Sequence, residues 1–185
     1  MIEIKNKNGS KTKVELKKLD LSYIDKIMKL QEEVVEGLEN KEVYYSSSKE
    51  EFEKIIKELG EIIGYVTLDN ELISLGVYCK YGLDKENYGY DIDLKGDELL
   101  KVSHIESTIV KKEYRGNNLQ KAMCLKLEEI GKNMKYIWLH EVSSMATASP
   151  YNPYSVNTFK SLGYEIVKDK IKYSGLRRYV FMKNI

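Results

Sequence analysis

The stretch Ile109-Val-Lys-Lys-Glu113-Tyr-Arg115-Gly116-Asn117-Asn118-Leu119-Gln120 constrains the fold more than any other part of the 185-residue chain. A β-branched run closes in a tight turn with one glycine. Apolar residues then recur at Leu119, Ala122, Met123, Leu127 and Ile130, at helical spacing. This pattern predicts a strand from Leu99 to Val110 and a helix from about Asn117 to Lys132. The run Tyr136 to Val142 predicts a second strand, and such a strand–helix–strand unit closes as a right-handed parallel crossover. Ligands in these units bind beyond the carboxyl end of the opening strand. There the first turn of the helix offers backbone N–H groups and the positive end of its dipole, and Arg115 adds a charged, forked donor. Residues Arg115 to Gln120 are therefore a candidate phosphate site, although Arg-Gly turns before helices also occur as plain structure.

The rest of the chain surrounds this unit with strands and short helices. Lys11 to Leu19 alternates apolar residues with lysines and predicts a first strand. Ile24, Ile27, Met28, Val34, Val35 and Leu38 predict a helix capped by Asp20 or Ser22. Ser48 and Glu51 form a capping box before Phe52, Ile55, Ile56 and Leu59, and Gly60 ends that helix. Two strands, Ile62 to Leu68 and Leu72 to Tyr78, turn at Asp69-Asn70. Tyr81 to Glu98 reads as a long polar connection. Ser155 to Leu162 predicts a short helix, and Tyr164 to Tyr173 with Leu176 to Ile185 predicts an antiparallel pair turning at Ser174-Gly175. The expected class is α/β, with a mixed sheet that is mostly antiparallel in its first half.

Composition narrows what such a fold does. Thirty Lys+Arg against 29 Asp+Glu leave a formal charge of +1, without the basic footprint of a nucleic-acid or anionic-membrane binder. Hydrophobic residues at 42% and charged residues at 32% describe a globular chain. Its length fits one domain over residues 1–185, which buries roughly 70% of its unfolded surface and needs no staples. Cys79 and Cys124 sit far apart in apolar surroundings and read as reduced core thiols, and no His/Cys cluster suggests a metal. His140-Glu141 lacks the second histidine of a zincin and is expected to end or line the strand around Trp138. No P-loop or G-x-S-x-G elbow occurs. Neither a signal-type apolar segment at Met1-Ile-Glu-Ile-Lys nor a bilayer-length run is present, so the expected location is the cytoplasm.

Two motifs within this element order resemble the GNAT acetyltransferases. The family's pyrophosphate loop has the pattern Q/R-x-x-G-x-G/A, and the matching stretch runs from Glu113 to Asn118. Its central glycine, Gly116, matches. The first position is Glu113 and the last is Asn118, a residue type that tolerates left-handed or cap geometry. Downstream, Asn152-Pro-Tyr-Ser155-Val-Asn-Thr-Phe159-Lys-Ser-Leu162-Gly163-Tyr164 is similar to the family's N-x-x-S/A…Y-x-x-L-G-F segment.

The resemblance implies a single GNAT domain whose sheet splays between the fourth and fifth strands, with acetyl-CoA as co-substrate. Arg115, Gly116, Asn117, Asn118, Leu119 and Gln120 would hold the pyrophosphate, and Asn152, Ser155 and Phe159 would flank the pantetheine arm. A backbone N–H of Ile109 or Val110 would meet the thioester carbonyl in the manner of an oxyanion hole. A primary amine of a small molecule or peptide would attack directly in a ternary complex, which requires a base. Strand parity puts Val102, His104, Glu106, Thr108 and Val110 on one face. Glu106 and, after it, His104 are the candidate bases, with a plain solvated or hydrogen-bonded pair as the alternative. The family's acid tyrosine is replaced by Phe159, and Tyr154 or Tyr151 could substitute. Tyr44, Tyr45, Tyr88 and Tyr90 could line an acceptor cleft or simply be surface aromatics. A GNAT-fold module that binds CoA or a metabolite without turnover is the competing expectation.

Overall fold

The computed structural model describes residues 1–138 and 143–185, with side chains for 1–133 and 143–185. Its strands are β1 (Ile2–Lys5), β2 (Lys11–Leu19), β3 (Gly60–Thr67), β4 (Ser74–Cys79), β5 (Val102–Val110), β6 (Ser143–Ala148), β7 (Glu165–Lys172) and β8 (Leu176–Asn184). They form one eight-stranded sheet in the order β1-β2-β3-β4-β5-β6-β8-β7. The helices are α1 (Ile24–Glu36), α2 (Lys49–Lys54), α3 (Leu119–Trp138) and α4 (Pro153–Ser161). The architecture is mixed α/β. Its one parallel pair, β5 with β6, runs in register from Val102↔Ser143 to Ile105↔Ala146, and β5 continues past the end of that ladder to Val110.

Local chemistry accounts for most element boundaries. Asp20 accepts from the Ser22 N–H and opens the turn that leads into α1, whose Ile24, Ile27, Leu30 and Val34 are buried at helical spacing. The capping box at α2 is complete. Ser48 Oγ accepts from Glu51 N at 3.2 Å, and Glu51 Oε2 accepts from Ser48 N at 2.7 Å. Only a short α-helix follows, because Ile55–Leu59 widens into a π-helical turn before the extended Gly60.

Tertiary context overrode the sequence pattern at four places. β1 was not expected: four residues paired to β2 give too short a pattern to read. β5 starts at Val102, because Leu99 is drawn into the 3-10 turn Gly96–Lys101, where it fills the core at 1% exposure. The polar connection after β4 is ordered by the buried Asn87. Its Nδ2 donates to the carbonyls of Gly82 (2.6 Å) and Leu99 (2.9 Å), and its Oδ1 accepts from Gly89 N (2.8 Å). Finally, α3 extends to Trp138, so Tyr136 to Trp138 are helical where a strand was expected. Leu139 to Val142, the rest of that expected strand, lie outside the described residues, and the strand beside β5 is Ser143–Ala148. Those small residues carry little strand propensity, but pairing to both β5 and β8 decides their state. His140 and Glu141 lie outside the described residues.

Two compact units are distinguishable within the chain. One comprises Met1–Lys41, Ser46–Val77 and Ser107–Cys124, and the other Glu42–Tyr45, Tyr78–Glu106 and Leu125–Ile185. The first is built around buried residues such as Val14, Ile27, Phe52, Ile62 and Ile73. In the second, Tyr88, Val102, Met145 and Val180 pack together on one face of the sheet, while Phe159 contacts Tyr164 and Phe181, each at a ring distance of 5.3 Å. Both cysteines are buried, and neither forms a disulfide. Among the described residues no helix is long and apolar enough to cross a membrane, and no cluster of metal-ligating side chains occurs.

Candidate active site

The turn after β5 belongs to the first unit and is a backbone device. Lys111 N donates to Ile73 O at 2.9 Å, tying that position to the residue that precedes β4. Alternation along a strand turns the main chain of Val110 to the opposite edge, where its carbonyl accepts from Arg115 Nε at 3.0 Å. A 3-10 turn at Lys112–Tyr114 leads to Arg115, and then Gly116 adopts φ +90° and Asn118 φ +56°. Glycine and asparagine are the residues that accept these left-handed angles at least cost. A Cβ on Gly116 would meet nothing within 4 Å, so the angle and not crowding within the chain demands the glycine.

Side chains lock this turn in place. Asn117 Oδ1 accepts from Lys5 N at 3.0 Å, and its Nδ2 donates to Lys5 O (2.8 Å) and Tyr114 O (2.9 Å). Lys7 N donates to Glu113 O at 3.0 Å. The unexpected β1 is thus the brace of the turn. Leu119 is buried, and Gln120 Nε2 donates to Thr108 Oγ1 at 2.9 Å, joining the first turn of α3 to β5. The first intrahelical bond runs from Ala122 N to Asn118 O at 3.0 Å, so the amide groups that precede it point out of the helix end. Chemically, a helix end with such a preset backbone suits an anion.

A polar cluster occupies the second unit. His104 is fully buried, its ring 4.6 Å from that of Tyr88 and 5.0 Å from that of Tyr81. Its Nε2 accepts from Tyr88 N at 3.2 Å. A neutral imidazole that accepts at Nε2 carries its proton on Nδ1, and Nδ1 is buried without a hydrogen-bond partner. Burial, assisted by the charge of Lys172, pushes His104 down to about 3. Glu106 follows on the same strand face and is half-buried. Burial first, and then the negative charge of Glu106, raises the Tyr81, Tyr88 and Tyr173 hydroxyls and the Cys79 thiol, so all four stay protonated. Tyr88 and Tyr173 share a 2.7 Å hydrogen bond, and Thr147 Oγ1 lies 3.3 Å from the Tyr173 hydroxyl. Asp91, itself buried, pairs with Lys170 at 2.7 Å and with Lys172.

Tyr173 holds φ +48°. A bulky residue in that region costs about 1–3 kcal/mol and persists only where its surroundings over-determine it. Here the Tyr88 hydrogen bond and the Tyr45 ring, stacked at 4.6 Å and 14°, fix the side chain. Of the expected site residues, the structure brings Glu106 and His104 together with Tyr88 and Tyr45. It adds Tyr81 and Tyr173, which one residue type present fifteen times could not flag in advance.

The segment around α4 is arranged differently. Asn152 Oδ1 accepts from Ser155 N at 3.2 Å and caps the helix, with Pro153 opening it. Ser155 is half-buried, whereas Tyr154 is 82% and Tyr151 54% exposed. Phe159 is 3% exposed and packs edge-on against Tyr164. Its ring is part of the core.

A model of the Acetyltransferase (GNAT) family matches residues 23–164. No curated protein matches the chain. Among solved structures, a GNAT-family acetyltransferase from Listeria monocytogenes aligns at 19% identity and TM-score 0.64 over 100% of both chains. The ribosomal-protein-S18-alanine N-acetyltransferase of Escherichia coli aligns at 10% identity and TM-score 0.67 over 94% of each chain. The NAA60 protein of Arabidopsis thaliana, in complex with acetyl-CoA, aligns at 14% identity and TM-score 0.66 over 94% of this chain and 99% of its own.

Proposed function

The chain belongs to the GNAT acetyltransferase family, and from that premise we propose that it moves the acetyl group of acetyl-CoA to a primary amine of a small molecule or peptide. The observation that carries the reading is the turn after β5. Gly116 at φ +90° and Asn118 at φ +56° aim the first amides of α3 outward beside Arg115, an arrangement suited to a pyrophosphate. The stretch Arg115 to Gln120 would hold that group. The orientation of Lys111 favours the Val110 amide over that of Ile109 as the donor to the thioester carbonyl, since Ile109 shares its edge with the Ile73-bonded Lys111. Asn152, Ser155 and the core-packed Phe159 support the pantetheine arm through α4. Residues 1–185 act as one functional unit in this reading, in the cytoplasm.

The amine nitrogen forms a bond to the acetyl carbon, the carbon–sulfur bond breaks, and the amine proton passes to a base. We assign that base to Glu106. His104 is less suited, because its Nε2 is engaged by Tyr88 N and its basicity is held low by burial. The departing thiolate has a conjugate acid near 8.5 on the cysteine scale and leaves without strong assistance. Its proton comes from Tyr154 or from solvent, which the exposure of Tyr154 makes interchangeable.

An acetyl-CoA consumption screen across small amines, aminoglycosides, amino acids and peptide N-termini tests the assignment. Thiol release that depends on an added amine supports it. CoA binding without turnover on any amine supports the competing module, for which the buried Phe159 in place of an acid tyrosine speaks. Absence of any CoA binding removes both.

A further inference from the structure

Arg177 and Arg178 are neighbours on β8, and their surroundings differ sharply. Arg177 is exposed and grips Asp169 with Nε at 3.0 and 3.2 Å and Nη2 at 2.6 Å. Arg178 points to the other face, the one on which Val180 packs with Tyr88, Val102 and Met145, and is 3% exposed. Its Nη1 donates to the carbonyl of Arg177 at 2.9 Å, and its Nη2 is buried with no hydrogen-bond partner. Burial lowers its pKa and outweighs the attraction that the Glu42 carboxylate exerts on it through space. Its guanidinium carbon lies 5.7 Å from the centre of the Tyr173 ring. A buried guanidinium with an unsatisfied donor is costly, and forked guanidinium donors match carboxylates better than any other common anion except phosphate.

We propose that Arg178 is the counter-ion of a carboxylate on the acceptor, so that the amines this enzyme acetylates are amino acids. The inference rests on the acetyl-CoA:amine reading above and names its substrate class. Tyr173 is the common wall. Arg178 sits over its ring, its hydroxyl bonds that of Tyr88, and the charge of Glu106 acts on both hydroxyls. An acceptor with its carboxylate on Arg178 and its amine toward Glu106 carries both groups on one molecule, as amino acids do. A carboxylate also fits better than a phosphate here. The Asp91 carboxylate already takes up Lys170 and Lys172, which leaves one forked cation for one small anion. The Tyr45 ring, half exposed and stacked on Tyr173, is the cover such a ligand displaces.

The test compares each amino acid with its decarboxylated partner as acceptor: L-alanine with ethylamine, L-leucine with isopentylamine, L-phenylalanine with phenethylamine, and L-lysine with cadaverine. In at least one pair the acid is expected to have a kcat/KM about 10- to 100-fold higher, the worth of a charge-assisted bond to a buried partner. Arg178→Gln is expected to remove that advantage mainly through KM. Arg178→Lys keeps the charge but loses the fork, recovers part of the preference, and carries the test should the glutamine variant not fold. Plain amines used as well as the acids in every pair overturn the proposal, as does a preference that survives both variants. Calorimetry with the same amino acids in the presence of CoA separates the two readings. Amino-acid binding that Arg178→Gln abolishes, in a protein that acetylates nothing, sustains the carboxylate anchor and sinks the transferase. Failure of every amino acid to bind the native protein at millimolar concentration, while CoA binds, sinks the anchor alone.

Discussion

The turn after β5 and the polar cluster of the second unit are both built for charge, yet they are built in opposite ways. In the turn the work falls to backbone geometry. Two left-handed residues in a three-residue span, Gly116 and Asn118, set the amides of α3, and the side chain of Asn117 merely braces them. In the cluster, backbone matters little, and the function of each group depends on side chains from Tyr45, Tyr88, His104, Glu106 and Arg178 meeting around Tyr173. The lesson is that the proposed anion site of helix-end amides travels with a short segment, whereas the proposed acid–base and specificity site exists only once distant segments meet.

The sharpest way to break this comparison is Glu106→Gln. Turnover is expected to fall roughly 10²–10⁴-fold, the usual yield of a general base, with CoA affinity unchanged by calorimetry. Loss of CoA binding in that variant means that the two regions are not separable in function. Unaltered turnover across the pH range removes Glu106 from the chemistry.

A smaller effect concerns stability. His104 has a folded value of about 3 against 6.5 when unperturbed. The unfolded chain therefore binds the extra proton between those values, so stability is full above about pH 6.5 and is lost progressively as pH falls toward 3. The slope contributed by this one group approaches ~1.4 kcal/mol per pH unit within the window. His104→Gln, which keeps an acceptor for Tyr88 N, is expected to flatten the acid limb of a melting-temperature profile. An unchanged limb in the variant assigns the acid sensitivity elsewhere.

Gly116→Val probes the backbone region alone. A β-branched residue at φ +90° costs about 1–3 kcal/mol, and the expected outcome is loss of the melting-temperature rise that saturating CoA produces in the native protein. A full CoA shift in this variant shows that the turn does not depend on its left-handed geometry.

The smallest effects belong to α4. Tyr154→Phe is expected to leave turnover within about twofold, because its exposed hydroxyl competes with water as a proton source. Phe159→Tyr places a hydroxyl in a site packed by Tyr164 and Phe181, at a cost of about 1–3 kcal/mol in stability if it finds no partner. Faster turnover from Phe159→Tyr despite that cost marks a missing acid. A clear loss in Tyr154→Phe gives Tyr154 the role instead.

What could be read in advance follows the same division. The capping box of Ser48 and Glu51, the Arg-Gly turn and the start of α3 are all local, and each stands where its residue types predict, whereas Asp20 caps the 3-10 turn before α1 and not α1 itself. The errors are equally instructive. Tyr136 to Trp138 has strand propensity yet closes α3, while Ser143–Ala148, mostly small residues, became β6. Likewise β1 is too short to announce itself, but it supplies the Lys5 main chain that Asn117 grips.

The sequence by itself determined the β5–turn–α3 unit and, through its motifs, the family. Those features depend on φ preferences, capping and amphipathic spacing, which act between residues a few positions apart. Only the tertiary structure decided that His104 lies neutral beneath Tyr88, that Tyr173 is held in a left-handed conformation, and that Arg178 is buried where Arg177 is not. Burial, dielectric and the meeting of charges depend on which strands stand side by side. That is set by the packing of the whole chain and by no short stretch of it.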